Sequence, residues 1–134
     1  MSRHLSVRLD EDAFLRLDAE SRRSRRTRSE VAKQLLEEGL RMEQHPGIVF
    51  RSGPGGRRPG LIGGPDVWEV VRGVLGEGAG EASARTGLRR DQVSAALGYY
   101  AEHQGEVDEW IRRVDEEAER AEAQWRREQE LLLG

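Results

Sequence analysis

Apolar and polar residues alternate near the start of the chain, over residues 4–9. Successive side chains of an extended strand lie on opposite faces. One face of this segment is therefore apolar and carries Leu5, Val7 and Leu9. The other face is polar and carries His4, Ser6 and Arg8. The alternation predicts a half-buried strand. Because a lone strand leaves both edges unpaired, we expect it to pair with the same strand of a second copy as an antiparallel ribbon.

Two helices are predicted after this strand, because the apolar residues change to helical spacing. Asp10 can cap a first helix that ends near Ser21, and Thr27 and Glu30 have the spacing of a capping box that begins a second helix. The second helix has an apolar stripe formed by Val31, Leu35, Leu36 and Leu40. A unit this short buries too little apolar surface to be stable alone, which also favours a dimer.

The middle of the chain is rich in turn residues, with 13 of the 16 glycines and all four prolines between Gly39 and Gly87. Residues 47–51 and 57–62 predict a β-hairpin with a wide turn. Asp66 can cap a helix that runs to Leu75.

A second pair of helices is predicted around Gly87, one over residues 81–86 and one that begins between Arg89 and Asp91. The pair is similar to a helix-turn-helix, in which Arg89 and Arg90 would face DNA. Helix pairs joined by a glycine are also common packing units, and this stretch has no net positive charge. Both interpretations are open.

Residues 105–134 predict one long helix. Its apolar residues recur at spacings of four and three, at Val107, Ile111, Val114, Ala118, Ala121 and Trp125. Trp110 and Trp125 add bulk, and tryptophan is frequent as an interface anchor. The helix can bind a partner protein, or fold back onto its own domain or its dimer mate. The predicted fold is mainly α with little β, in three segments: residues 1–44, 45–104 and 105–134.

Charge is distributed unevenly along the chain, whose net charge is −3. Residues 101–134 hold 5 basic and 11 acidic side chains. A run without acidic neighbours lies just before the second helix and contains Arg22, Arg23, Arg25, Arg26 and Arg28. We expect this run to contact phosphates.

Composition narrows the class of protein further. The chain has no cysteine, no apolar run of membrane length and no signal-peptide core at its start, so a soluble cytoplasmic protein is expected. Its three histidines, His4, His45 and His103, are far apart in sequence and in unrelated contexts. We therefore expect no enzyme, no cofactor and no metal site.

The first third of the chain resembles a known family. The residues HLSVRLDEDAFLRLDAE followed by TRSEVAKQLLEEGL are similar to ribbon-helix-helix repressors of the Arc, MetJ and CopG kind. The resemblance implies that a two-stranded ribbon enters the major groove and that His4, Ser6 and Arg8 contact bases. It also implies phosphate contacts at the start of the second helix, from the amides of Thr27, Arg28 and Ser29, beside Arg25 and Arg26.

A second resemblance covers residues 45–111. The runs HPGIVFRSGPGGRR, GGPDVWEVVRGVLGEG and LRRDQVSAALGYYAEHQGEVDEWI are similar to a compact domain family of unknown function that is grouped with VapB-type antitoxins. The resemblance implies membership of a toxin-antitoxin pair, with a small PIN-like ribonuclease as the partner.

These observations favour a dimeric antitoxin that neutralises a nuclease toxin and represses its own operon by binding operator DNA. Toxin contacts are expected from the long helix, at Trp110, Ile111, Arg112, Arg113, Arg120, Trp125 and Arg126. Its carboxylates could occupy a basic RNA groove of the toxin, or its arginines could enter the toxin's acidic metal site, and the sequence does not choose between them. The alternative is a stand-alone ribbon-helix-helix repressor whose C-terminal helices only oligomerise.

Overall fold

Six helices and one two-stranded antiparallel sheet make up the chain, so the predicted mainly α class with little β is confirmed. The structure is a computed structural model that describes residues 1–134. In chain order the elements are α1 (Glu11–Ser24), α2 (Arg28–Gln44), β1 (Ile48–Gly53), β2 (Gly56–Leu61), α3 (Val67–Glu77), α4 (Ala79–Thr86), α5 (Arg90–Glu102) and α6 (Gln104–Leu133). The chain divides into two compact units, Met1–Gln44 and His45–Gly134.

Residues 1–10 form neither a helix nor a strand within the single chain. A strand needs a hydrogen-bonded neighbour, and this chain offers none to residues 4–9. The predicted strand depends on pairing with a second copy, so it stays a prediction.

Helix α1 begins as predicted, because an Asp10 carboxylate oxygen accepts the Ala13 N–H at 2.8 Å. It continues one turn beyond the predicted end near Ser21. Arg25 then adopts the left-handed conformation, with φ 56° and ψ 38°. Its N–H donates to the Arg22 carbonyl at 3.3 Å, and the Arg26 N–H donates to the Ser21 carbonyl at 3.1 Å. This pairing is the Schellman arrangement, which usually has glycine at the left-handed position.

Helix α2 begins after the predicted N-cap residue, Thr27, but the Glu30 carboxylate bonds the Thr27 hydroxyl and not the Thr27 N–H that a full capping box requires. The Glu30 N–H donates to the Thr27 hydroxyl oxygen at 3.1 Å, and that hydroxyl donates to the Glu30 carboxylate at 3.1 Å. The carboxylate thus reaches back to the hydroxyl. Of the predicted apolar stripe, only Val31 is buried.

The hairpin of the second unit is confirmed, but its predicted wide turn is wrong. Strands β1 and β2 pair in register from Ile48 with Leu61 to Gly53 with Gly56, which leaves only Pro54 and Gly55 in the turn. The sequence predicts Gly56 as a loop residue. In the structure Gly56, with φ 109°, pairs with Gly53 and extends the ladder, which shortens the turn to two residues.

Helices α3 to α6 enclose the core of the second unit. Gly78 and Gly87, with φ 89° and 72°, end α3 and α4 close to where the sequence predicts breaks. Helix α5 contacts both strands and the other three helices of the unit. The buried side chains of this core are Ile48, Leu61, Val67, Val70, Val71, Val93, Ala96, Tyr99 and Val107.

Helix α6 contains 30 residues, a length of about 45 Å at 1.5 Å per residue. Only its first turns pack on the second unit, where Val107 is buried and Ile111 is half-buried. Residues 117–128 are all exposed. None of the six helices combines the length and apolar character that crossing a lipid bilayer requires.

Asp66 is the N-cap of α3, as predicted, and its N–H donates to the Glu69 carboxylate at 3.4 Å, while its own carboxylate also binds the hairpin. Only 6% of the residue is exposed. One oxygen accepts Arg51 Nη2 at 2.8 Å, and the other accepts Arg58 Nε and, at 3.1 Å, the Trp68 indole N–H. Arg51 also donates to the Leu61 carbonyl at 3.0 Å. This set, Asp66 with Arg51, Arg58 and Trp68, is called the Asp66 cluster below.

The Asp66 cluster also favours the ionised form of the Asp66 carboxylate. Burial by itself raises the pKa of Asp66, but hydrogen bonds from Arg51 and Arg58, the Arg58 charge and the Trp68 hydrogen bond outweigh it, so the pKa lies below the ordinary 3.8. A lowered folded-state pKa stabilises the fold above that ordinary value, and the stabilisation is lost as pH falls through the folded pKa.

We expect Asp66→Ala to lower the free energy of unfolding by about 3–5 kcal/mol, because it leaves two arginines without their shared partner. Asp115→Ala is the matched control, since Asp115 pairs with Arg72 at 2.7 Å with both side chains half exposed. Its effect should stay within about 1 kcal/mol. Urea denaturation measures both. The Asp66 effect should shrink below pH 3.8, and equal losses in the two variants would contradict the structural role of the cluster.

Candidate nucleic-acid and partner-binding surfaces

The three predicted base-contacting residues are exposed and lie on the extended N-terminal segment. His4 Nε2 and the Ser6 hydroxyl are 2.8 Å apart and hydrogen-bonded, so these two side chains share one side of the segment, as strict alternation requires. Arg8 forms no ion pair or hydrogen bond within the chain. Its guanidinium is therefore available to an external acceptor.

The opposite side of this segment is an uncovered apolar surface. Leu5, Val7 and Leu9 are 67%, 71% and 47% exposed. Helix α2 adds Leu35, Leu36 and Leu40, each about half exposed, and α1 adds Phe14. These seven residues are called the N-terminal apolar set.

The first unit buries a single apolar side chain, that of Val31. Ordering a residue's backbone costs about 1–2 kcal/mol, and one buried valine recovers only about 1.5–3 kcal/mol. The unit therefore gains little stability from its own buried apolar surface, and covering the N-terminal apolar set would add to it.

The predicted phosphate-binding arginines differ in how many contacts their side chains already make within the chain. Arg28 lies 3.7 Å from the Asp18 carboxylate and 4.9 Å above the centroid of the Phe14 ring. Arg26 donates to the side-chain amide of Gln34. Arg25 is exposed and has no partner in the chain, so it is the cation of this group that is most open to a phosphate.

The start of α2 supplies the predicted amides of Thr27, Arg28 and Ser29. A helix N-terminus favours anions. Glu30 places a carboxylate in the same first turn, where it holds the Thr27 hydroxyl. A phosphate bound here would therefore be attracted by the amides and by Arg25 and repelled by the Glu30 carboxylate.

Two predicted partner-binding residues of α6 are used inside the second unit. The Trp110 ring lies against the hairpin turn, where a β-carbon on Gly55 would come within 2.9 Å of it. Ile111 packs against the core. Both side chains are half-buried, so the first turns of α6 fold back onto their own unit.

The predicted arginines of α6 form ion pairs along the helix itself. Arg112 binds Glu109 and Glu116, and their hydrogen bonds and charges raise the pKa of Arg112 above its ordinary value. Arg113 lies 4.5 Å above the centroid of the Trp110 ring. Arg120 lies 3.7 Å from Glu116, and Arg126 pairs with Glu122. These pairs are exposed and weak, so a partner can replace them at small cost.

Trp125 is the one predicted anchor of α6 that the chain leaves open, with 59% of its surface exposed. It follows Ala118 and Ala121 along the predicted apolar seam, and all three are exposed. Leu131, Leu132 and Leu133 extend the apolar surface beyond it.

The helix pair around Gly87 places little positive charge outward. Arg89 lies 3.1 Å from the Asp91 carboxylate, in an exposed ion pair. Helix α5 buries Val93, Ala96 and Tyr99 in the core, and Arg90 is the one cation on its exposed side. This arrangement favours the packing-unit interpretation of the pair.

The sequence patterns did not predict two groups of interacting residues. The first is the pair of arginines in the Asp66 cluster, whose proximity could have been predicted because Arg51 and Arg58 face each other in a hairpin of this register. The prediction that the histidines lie in unrelated contexts is wrong, since the rings of His45 and His103 are 5.8 Å apart between centroids. These two residues are 58 positions apart in sequence, and no local pattern links them.

Comparison of the chain with protein-family models, with curated proteins and with solved structures finds no match. The ribbon-helix-helix and VapB-like resemblances therefore remain predictions that rest on the residue patterns.

We expect Val7→Asp to convert a dimer of the full chain to monomers, because it places a carboxylate in the centre of the N-terminal apolar set. Val7 is 71% exposed in the single chain, so the substitution does not disturb packing inside it. Ser6→Asp is the matched control: it adds the same charge one residue away, on the polar face, and should leave the dimer intact. Sedimentation equilibrium reports the mass of each. A monomeric parent chain, or equal behaviour of the two variants, would rule out this interface.

Proposed function

We propose that this protein is the antitoxin of a type II toxin-antitoxin pair. It dimerises through its N-terminal segment, binds operator DNA with the paired segments, and neutralises a PIN-like nuclease toxin with α6. In this role the protein would repress its own operon and would not be an enzyme.

The observation that carries the proposal is the exposed N-terminal apolar set on a unit with one buried apolar side chain. Antiparallel pairing of residues 4–9 from two copies would cover Leu5, Val7 and Leu9 and would display His4, Ser6 and Arg8 twice on one surface. A two-stranded ribbon fits the major groove, where arginine binds guanine acceptors and serine binds several bases. Two copies of Arg25 would lie near the flanking phosphates.

The exposed part of α6 supports the second activity. Residues 117–128 are all exposed and include Trp125, the residue type most enriched at interface centres. The net negative charge of residues 101–134 complements a surface that binds RNA. Arginines held only by exposed ion pairs are free to exchange those partners for a toxin's carboxylates.

The alternative function is a stand-alone repressor whose C-terminal helices only oligomerise. The seam of Ala118, Ala121 and Trp125 favours it as well, because small residues allow two helices of this kind to approach closely. The two functions differ in whether α6 binds a different protein or another copy of itself.

We expect Arg8→Ala to weaken binding to operator DNA by about 1–3 kcal/mol more than binding to random DNA, because a base contact carries specificity and a phosphate contact does not. Arg3→Ala is the matched control: it removes the same charge from the same segment, but its place in the alternation is on the opposite face from Arg8. Fluorescence anisotropy at fixed salt, with a selected DNA and a scrambled one, measures both variants. Equal losses of Arg8→Ala on the two DNAs would remove the base-reading role.

We expect a chain that ends at Glu117 to keep operator binding and lose toxin neutralisation. This deletion spares Val107 and Ile111, so the melting temperature of the second unit should not change. Co-expression with the product of the neighbouring gene, scored by cell survival and by co-purification, measures neutralisation. The alternative function predicts instead that the full chain purifies without a second protein, and that the deletion lowers its oligomeric order in light scattering. Full rescue by the shortened chain would place the toxin-binding surface within residues 45–117.

A further inference from the structure

Three side chains with metal-binding atoms converge where β1 begins and α5 meets α6. They are His45, Glu102 and His103, and one donor atom from each lies within 4.8 Å of the other two. His45 Nε2 and a Glu102 carboxylate oxygen are 3.0 Å apart. None of these residues belongs to the surfaces proposed above for DNA or the toxin.

The backbone holds all three residues in place without a ligand. The His45 carbonyl accepts the Ile48 N–H at 3.1 Å, which fixes His45 against the first residue of β1. The His103 N–H donates to the Tyr99 carbonyl at 3.0 Å, and the His103 carbonyl accepts the Val107 N–H at 3.2 Å. His103 is therefore the corner between α5 and α6, and Glu102 precedes it directly.

The surroundings are apolar on one side and open on the other. The fully buried Tyr99 ring lies 4.5 Å from the His103 ring and 5.3 Å from the His45 ring, measured between centroids. The Glu102 side chain is 63% exposed, whereas that of His45 is 10% exposed. An ion held by the three would have the Tyr99 ring on one side and the exposed Glu102 side chain on the other.

The geometry points to a site for a divalent transition metal, with zinc as its best match: we propose that His45, Glu102 and His103 together bind one Zn²⁺ ion. Two imidazole nitrogens and one carboxylate oxygen are a ligand set that zinc accepts, with water as the fourth ligand. Mg²⁺ and Ca²⁺ prefer oxygen ligands throughout and fit this set poorly. Donor atoms around tetrahedral zinc lie about 3.3–3.5 Å apart, so the present spacing closes with small side-chain rotations.

The consequence of binding would be local and measurable. His45 is the first residue of the second unit, and the ion would tie it to the α5–α6 corner 57 and 58 residues later. Because the unfolded chain does not hold these donors together, zinc that binds only the folded state raises the melting temperature.

The test is calorimetric titration of ZnCl₂ into the metal-free full chain, with thermal melts in parallel. We expect one ion per chain, a higher melting temperature with zinc, and no competition from MgCl₂. Glu102→Gln and His45→Gln should each weaken zinc binding at least about tenfold, since even the loss of an outer-shell partner costs 10–100-fold. Glu102→Gln is the safer of the two for folding because that side chain is exposed.

The matched control is His4→Gln, which removes an imidazole outside the cluster and should leave zinc affinity unchanged. Zinc binding that either cluster variant leaves unchanged would place the ion outside the cluster and overturn the proposal, as would the absence of binding to the parent chain. Neither measurement uses DNA or a second protein, so failure here is distinguishable from failure of the proposed antitoxin function.

Discussion

The carboxylate of Asp66 is the contact on which the second unit depends. A two-stranded hairpin is marginal on its own in water. Here Arg51 of β1 and Arg58 of β2 reach the same buried carboxylate at the start of α3, so both strands are fixed to the helices at one point. The hairpin turn then lies against Trp110 of α6. Because the Asp66 carboxylate and its two arginines are all paired and hydrogen-bonded, they restrict the hairpin to one arrangement more strictly than apolar contact alone would.

The first unit follows the opposite principle, because it lacks an internal set of contacts strong enough to hold it. Helix α1 begins and ends at well-formed caps and α2 begins at one, yet ten large apolar side chains of the unit are exposed and one apolar side chain is buried. Local hydrogen bonding thus determines where the helices are, and burial within the unit adds little stability. A second surface that covered the exposed apolar side chains would add to that stability.

The sequence predicted what depends on near neighbours and missed what depends on distant ones. Asp10, Thr27, Asp66 and Gly87 mark element boundaries correctly because caps and left-handed turns act within four residues. The ion pairs of Asp66 were missed because its arginine partners lie 15 and 8 residues away in the sequence. The left-handed conformation of Arg25 was missed because arginine, unlike glycine, has no preference for that conformation. His45 and His103 meet only once the whole second unit has folded. The uses proposed for His4, Ser6 and Arg8 lie beyond any single chain, since they require a second copy and DNA.

The exposed part of α6 has a consequence for how long the protein persists in a cell. Residues 117–128 are all exposed, so little besides the helical hydrogen bonds and ion pairs of the segment holds it, and such ion pairs add only about 0.3–0.5 kcal/mol each. This segment therefore opens locally far more often than the core does. Proteases cleave opened segments, so a chain in which residues 117–128 are uncovered is open to trimming there. Any molecule that covered this segment would therefore lengthen the life of the chain.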